Sequence, residues 1–272
     1  MELAKRQQVK VVEAVASVLA GCDFVWVSQV VKTARVPIAK LIDKKTGTEV
    51  DVNCANVLGL VNTRLIRTYT KVDDRFRHLG FLVKLWAKAC NLNDASMGTL
   101  SSYAWLIMTI HYLQRCDPPV LPNLQDRRIK GPPRRYHGFD CAYCSDLSKL
   151  QEVWKSRNTQ SIGELYYGFF DYYCGFDFDR DIITCHTTKR KPKAAEKRWS
   201  RNYAARPMAI QDPIEKSHNL GKGISRLGVA VAHQHDRHAY DHHEFRHGRR
   251  TNHYERRNSR LKPLLDQFRH LD

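Results

Sequence analysis

Apolar residues recur at helical spacing between residues 7 and 19, at Val11, Val12, Val15 and Leu19, and Gly21 supplies a stop. Residues 24–31 and 35–43 are rich in Val and Ile and read as strands, with Pro37 placing the second near an edge or a bulge. A Lys44-Lys-Thr-Gly-Thr turn then returns the chain as a hairpin partner. In that returning strand Val50, Val52 and Cys54 alternate with Asp51 and Asn53, so the apolar side faces a core and Asp51 faces away. From residue 58 to residue 114 the pattern turns helical. Pro118, Pro119, Pro122 and the Gly131-Pro-Pro-Arg-Arg run mark a loop, and residues 161–174 form an aromatic-rich helix. From residue 232 apolar periodicity is absent until Leu261, so disorder is expected there.

Composition sharpens this picture. The chain has 272 residues, enough for one or two cores. It carries a formal net charge of +17, which favours a polyanionic partner, nucleic acid first and an acidic membrane surface second. No apolar run approaches the roughly 20 residues of a spanning helix, so no membrane is expected. The N-terminus MELAKRQQVK lacks an apolar signal core, which points to the cytoplasm or the nucleus. Eight scattered cysteines read as reduced core residues; Cys141-Ala-Tyr-Cys144 has no second pair at ligand spacing.

Candidate chemistry concentrates between residues 48 and 114. Asp51 offers a carboxylate. Lys84 and Lys88 stand one helical turn apart as a two-pronged cationic clamp. Thr99, Ser101 and Ser102 open the following helix, where hydroxyls and backbone N–H groups suit phosphate. Together they suggest a nucleotide site. Asp73 and Asp74 read instead as a helix cap. The basic stretch KRKPKAAEKRWSR, within residues 187–201, reads equally as a solvated loop or as a contact for an RNA backbone. In the tail, His235, His238, His242, His243 and His247 read as polar surface rather than as metal ligands.

The segments VDVNCAN, KLWAKACNLNDASMGTLSSYAWLIMTIHYLQ and PPVLPNLQ resemble the noncanonical poly(A) polymerase and terminal uridylyltransferase family. IGELYYGFFDYY and IQDPIEKSHNLGKGIS are similar to that family's poly(A)-polymerase-associated segment. The resemblance runs in family order over residues 7–227. It implies an α+β fold: a remnant of a nucleotidyltransferase palm sheet over residues 1–57, a mainly helical central and poly(A)-polymerase-associated domain over 58–227, and a disordered basic tail over 228–272.

The resemblance also implies roles. Asn62 and Thr63 would contact the ribose, Lys84, Lys88 and Ser102 the triphosphate, and Tyr103 would stack on the base. Asp212, Glu215 and His218 would read the base edge, with His218 favouring UTP over ATP. Asn56 and Lys222 would meet the RNA 3′ end. Ala55, Gly59, Cys90 and Lys222 depart from the residues common in the family.

The family joins a nucleoside monophosphate to an RNA 3′ hydroxyl with two Mg²⁺ (or Mn²⁺) ions, held by a Gly-Ser element, an Asp-x-Asp pair and a third Asp. Asp51 matches the third Asp. No Gly-Ser dipeptide occurs in the chain, and no Asp-x-Asp precedes Asp51; Asp177-Phe-Asp179-Arg-Asp181 has the letters in the wrong place. The expectation is therefore an N-terminally truncated chain, inactive alone, whose incomplete sheet a protein partner could complete. The competing expectations are a non-catalytic UTP- or RNA-binding module, such as a pseudo-enzyme regulating an active relative, and a helical interaction domain.

Overall fold

In a computed structural model, residues 2–34, 36–54, 56–199 and 206–224 are described. The chain divides into two compact units, Met1–Thr63 and Arg64–Asp272.

The first unit packs helix α1 (Glu2–Ala20) on an antiparallel sheet of order β1-β2-β3, formed by Val25–Val31, Ile38–Asp43 and Glu49–Val52. Its core joins Val12 and Ala16 of α1 to Val25, Ala39 and Leu41, with Val52 and Cys54 packed against them. A register shift between Val27 and Gln29 inserts one residue into β1. The inward positions therefore run Val25, Val27, Val30 rather than in strict alternation. At the hairpin, Asp43 Oδ1 accepts from the Thr46 backbone and hydroxyl, both at 2.7 Å, and Gly47 takes a positive φ of 70°.

Three expectations change in this unit. Strand β2 is paired on both sides, and Pro37 stands just before it, where no ladder donor is needed. Val11 is 48% exposed, because the buried stripe of α1 runs through Val12 and Ala16 at i, i+4. Val50 is 43% exposed, because β3 has no described neighbour beyond β2 to cover it.

The second unit holds the greater part of helix α2 (Val57–Val72), then α3 (Asp74–Ala89), α4 (Ser102–Leu113), α5 (Leu147–Val153) and α6 (Ile162–Cys174), with a short hairpin of β4 (Arg135–Tyr136) and β5 (Phe139–Asp140). Asp73 caps α3 by accepting from Arg75 N, as its position in sequence implied. Ser161 and Glu164 form a reciprocal capping box on α6. Helices α3, α4 and α6 pack on one another. At their centre the Trp86 ring meets Phe170 at 4.7 Å and Trp105 at 5.5 Å between centroids. Gly80 lies at the close approach of α3 to α4, where a Cβ would come within 2.8 Å of Leu106 Cδ2 and that side chain would have to move.

The fold is thus α+β, a small sheet followed by a mainly helical body. The expected tail, with its five named histidines and Leu261, lies outside the described residues. Among the described residues no helix is long and apolar enough to cross a membrane.

Candidate nucleotide site

In the first unit Asp51 lies exposed on β3, opposite Lys40 of β2. Glu49, two residues earlier, falls on the same face of the strand, a carboxylate that the family pattern alone did not single out. Asn56 stands at the start of α2, where its Oδ1 accepts from Gly59 N at 3.1 Å. A Cβ on Gly59 would come within 2.6 Å of that Asn56 amide, so the departure to glycine at 59 and the asparagine at 56 fit one another. Asn62 and Thr63 sit within α2 itself. Thr63 Oγ1 donates to Gly59 O at 2.9 Å, and Asn62 is half-buried.

In the second unit Lys84 and Lys88 share one face of α3, Lys84 half-buried and Lys88 exposed. The start of α4 is built from its own hydroxyls. Ser101 Oγ accepts from Ala104 N at 3.2 Å as the N-cap. Thr99 Oγ1 donates to Asp94 O at 2.8 Å. Ser102 Oγ is bracketed by the Asn93 amide, accepting from Nδ2 at 2.9 Å and donating to Oδ1 at 3.1 Å. Thr99 and Ser101 thus shape the turn rather than present free hydroxyls, and Asn93, unremarked in the sequence, orients Ser102.

Tyr103 follows, half-buried, with its hydroxyl buried beside Asp212. Burial, and then the Asp212 charge, push the phenol well above its ordinary range. Asp212 is 3% exposed, and burial raises its carboxyl although Ile214 N and Glu215 N both donate to Oδ1 at 2.8 Å. From Asp212 the chain closes a tight turn: His218 N donates to Glu215 O at 2.7 Å, and Asp212 N to His218 O at 3.1 Å. Lys222 is exposed just beyond. The structure therefore joins residues far apart in sequence, Tyr103 with the 212–218 turn. The Trp86–Trp105 contact sets the Lys84–Lys88 helix beside that of Ser102 and Tyr103.

The basic stretch after residue 187 is largely exposed, but Lys191, Lys193, Glu196 and Trp199 turn inward and support that turn. Glu196, 5% exposed, accepts from Lys191 Nζ at 2.6 Å, Arg198 Nε at 2.7 Å and Gln211 Nε2 at 2.7 Å. Gln211 Nε2 also donates to Lys216 O at 2.7 Å, and Trp199 Nε1 to the same carbonyl at 3.1 Å. Lys193 is buried, its ammonium donating to Arg206 O at 2.8 Å. Several of the cations that suggested an RNA contact are spent on holding residues 206–216 in place. A lone glutamate among basic residues was the signal for this.

Cys141 and Cys144 are buried free thiols, and burial pushes both up in pKa. In the Asp177–Asp181 segment, Asp181 accepts from Arg190 Nε at 2.5 Å and Asp177 lies 3.8 Å from the same guanidinium. Among the described residues no three His, Cys, Asp or Glu side chains converge as a metal site. Each Mg²⁺ prefers octahedral oxygen ligation. Asp51, even with Glu49 beside it, is too small a donor set for two ions, so the described residues do not by themselves fit the family's metal pair.

Residues 2–71 match the model of the central palm domain of mitochondrial-like poly(A) RNA polymerase, and residues 161–218 match that of the Cid1 family poly A polymerases. The chain is 36% identical over 201 residues to human Terminal uridylyltransferase 7, covering 72% of this chain and 13% of that protein. It is 35% identical to the poly(A) RNA polymerase GLD2 of Xenopus tropicalis, over 68% of this chain and 34% of the relative. The chain thus spans about a third or less of these relatives. The solved structure of Cid1 in complex with the UTP analogue UMPNPP superposes with a TM-score of 0.74 at 31% identity, covering 84% of this chain and 71% of that one.

Proposed function

The chain belongs to the Cid1-like family of poly(A) polymerases and terminal uridylyltransferases, and on that premise we propose that it recognises UTP, in preference to ATP, for RNA 3′-terminal nucleotide transfer. The observation that carries this reading is Tyr103. Its hydroxyl is buried beside Asp212 and the residue is only partly buried, so its ring serves as a stacking platform beside a polar turn. His218, half-buried on that turn, offers a ring donor to a uracil carbonyl. Lys84 and Lys88 then take the triphosphate as point charges, and Ser102, held by the bond its Oγ accepts from Asn93 Nδ2, turns its one proton from Asn93 Oδ1 to a phosphate oxygen. Asp212 and Glu215 shape the base edge, Asn62 and Thr63 meet the ribose, and Asn56 and Lys222 meet the RNA terminus.

Two divalent ions supply charge stabilisation at the attacking and leaving oxygens in such a reaction. The donor set among the described residues does not hold them, so transfer needs further carboxylates. A strand from a protein partner, pairing along the open edge of β3 where Asp51 lies, is the place for these to enter. Without them the chain acts as a UTP- and RNA-binding module; the lone metal-position carboxylate favours this second reading for the isolated chain.

The test is calorimetric titration of the 272-residue chain with UTP and with ATP. Saturable binding, tighter for UTP and lost in both Lys84→Ala and Tyr103→Ala, is expected. Equal affinity for the two nucleotides, or binding indifferent to both substitutions, overturns the proposal.

A further inference from the structure

A cavity of about 660 Å³ lies within the second unit, apart from the residues assigned to the nucleotide. One wall is helix α2, where Arg64, Arg67 and Lys71 recur at i, i+3 and i+7 and so form one stripe. The buried side of the same helix carries Leu65 and Tyr69, which fixes the stripe outward. The opposite wall is the Gly131–Arg134 loop with Tyr143 and Ser145. That loop is tied down, since Gly131 N donates to Tyr143 O at 3.3 Å. Arg134 is held over the Tyr136 ring at 5.2 Å while its guanidinium donates to the Tyr136 hydroxyl at 2.8 Å.

The charge pattern is one-sided. Four cations line the cavity and no carboxylate does. Among the described residues Arg64, Arg67 and Lys71 form no ion pair, although the neighbouring cations Arg75, Lys130 and Arg128 are all paired with aspartates. Unpaired cations that converge on a concave surface destabilise one another, and an incoming polyanion relieves the repulsion. The volume suits one or two nucleotides rather than a flat membrane. Tyr143, half-buried on the wall, gives a base a ring to lie on.

We propose that this cavity is a second anchoring site for single-stranded RNA, with Arg64, Arg67, Lys71 and Arg134 binding consecutive phosphodiesters and Tyr143 stacking a base. The inference rests on the RNA-directed reading above and adds to it a site that holds the strand away from its terminus. Phosphate contacts fix position without reading sequence, so the anchor tolerates any bases.

The experiment is fluorescence anisotropy of a labelled single-stranded RNA of about 15 nucleotides against the full chain over a salt series, with UTP titrated separately. Each cation that contacts a phosphate contributes about 0.7 to the slope of log affinity against log salt. The Arg64→Gln, Arg67→Gln, Lys71→Gln triple variant is expected to lower the slope by about 2 and to leave UTP affinity unchanged. The Arg64→Lys, Arg67→Lys variant keeps the slope, and Arg64→Gln alone lowers it by about 0.7, which preserves the test should the triple variant unfold. An unchanged slope in the single and triple variants overturns the anchor. Displacement of the RNA by poly-glutamate of equal charge, as readily as by unlabelled RNA, overturns its assignment to nucleic acid. A chain that binds RNA with the full slope but does not bind UTP keeps the anchor and sinks the nucleotide site.

Discussion

Replacing Glu196 by Gln removes one charge from the support of the 212–218 turn and changes little in shape. The carboxylate side chain is 2% exposed and Lys191, its partner at 2.6 Å, 15% exposed, whereas Arg198 at 2.7 Å is 54% exposed. Water can therefore rescue Arg198 but hardly Lys191. Breaking a buried pair on one side costs about 3–5 kcal/mol, and an amide oxygen still accepts one bond, which places the loss near the lower end at about 3 kcal/mol. For a body of this size that corresponds to a fall in Tm of roughly 6–12 °C. The assay is thermal unfolding followed by circular dichroism.

The pH dependence gives a second readout. Burial alone would raise the Glu196 carboxyl, but the hydrogen bonds from Arg198, Lys191 and Gln211 more than reverse it and hold it well below the ordinary range. A carboxyl depressed in the folded state stabilises above its unfolded pKa of about 4.3, and that stabilisation is lost as pH falls towards the folded value. The gap between wild type and Glu196→Gln is therefore expected to be full at pH 7 and to narrow below about pH 4. A Tm shift under about 2 °C, or a gap that does not change in acid, would refute the reasoning.

Three further outcomes follow from the same geometry. Asp73→Ala removes the α3 cap and the partner of Arg75, whose guanidinium also reaches Asn158 and Gln160 O; a loss of about 1–2 kcal/mol is expected in urea unfolding, and no loss would show the cap to be idle. His218→Leu leaves the turn's backbone bonds intact and is expected to reduce UTP affinity about tenfold or more while ATP affinity holds, measured by competition; equal losses would point to a packing role. Asn93→Ala removes the Nδ2 donor that orients the Ser102 oxygen and is expected to weaken triphosphate binding by roughly 1 kcal/mol, with UMP binding unchanged.

How much of this was legible in the sequence depended on how local the cause was. The α3 cap was readable because an Asp at a helix start bonds to its own next turn; Asp73 behaves as its position implies, whereas Ser161, read as part of the α6 helix, is its cap. The β2–β3 hairpin was readable from its turn residues. Strand order was not, because whether β2 is an edge depends on a neighbour and not on Pro37. Val11 and Val50 are apolar yet exposed for a similar reason: periodicity gives a face and not what covers it. The 187–199 stretch misled most. Its charge was visible in composition, but its burial depends on Glu196 finding Gln211, fifteen residues away, and Trp199 finding Lys216 O. In the nucleotide site, residue types and order carried the reading, while the contact of Tyr103 with Asp212 across more than a hundred residues needed the fold.

The most direct test of the account is an RNA 3′-extension assay on the purified 272-residue chain. It uses Mg²⁺, each of the four nucleoside triphosphates in turn and an Asp51→Ala control, with UTP binding measured on the same sample. The account predicts saturable UTP binding, nearly unaffected by Asp51→Ala, and no extension of the RNA. Extension with UTP that Asp51→Ala abolishes would contradict it, because the carboxylates that complete the metal pair would then lie within this chain.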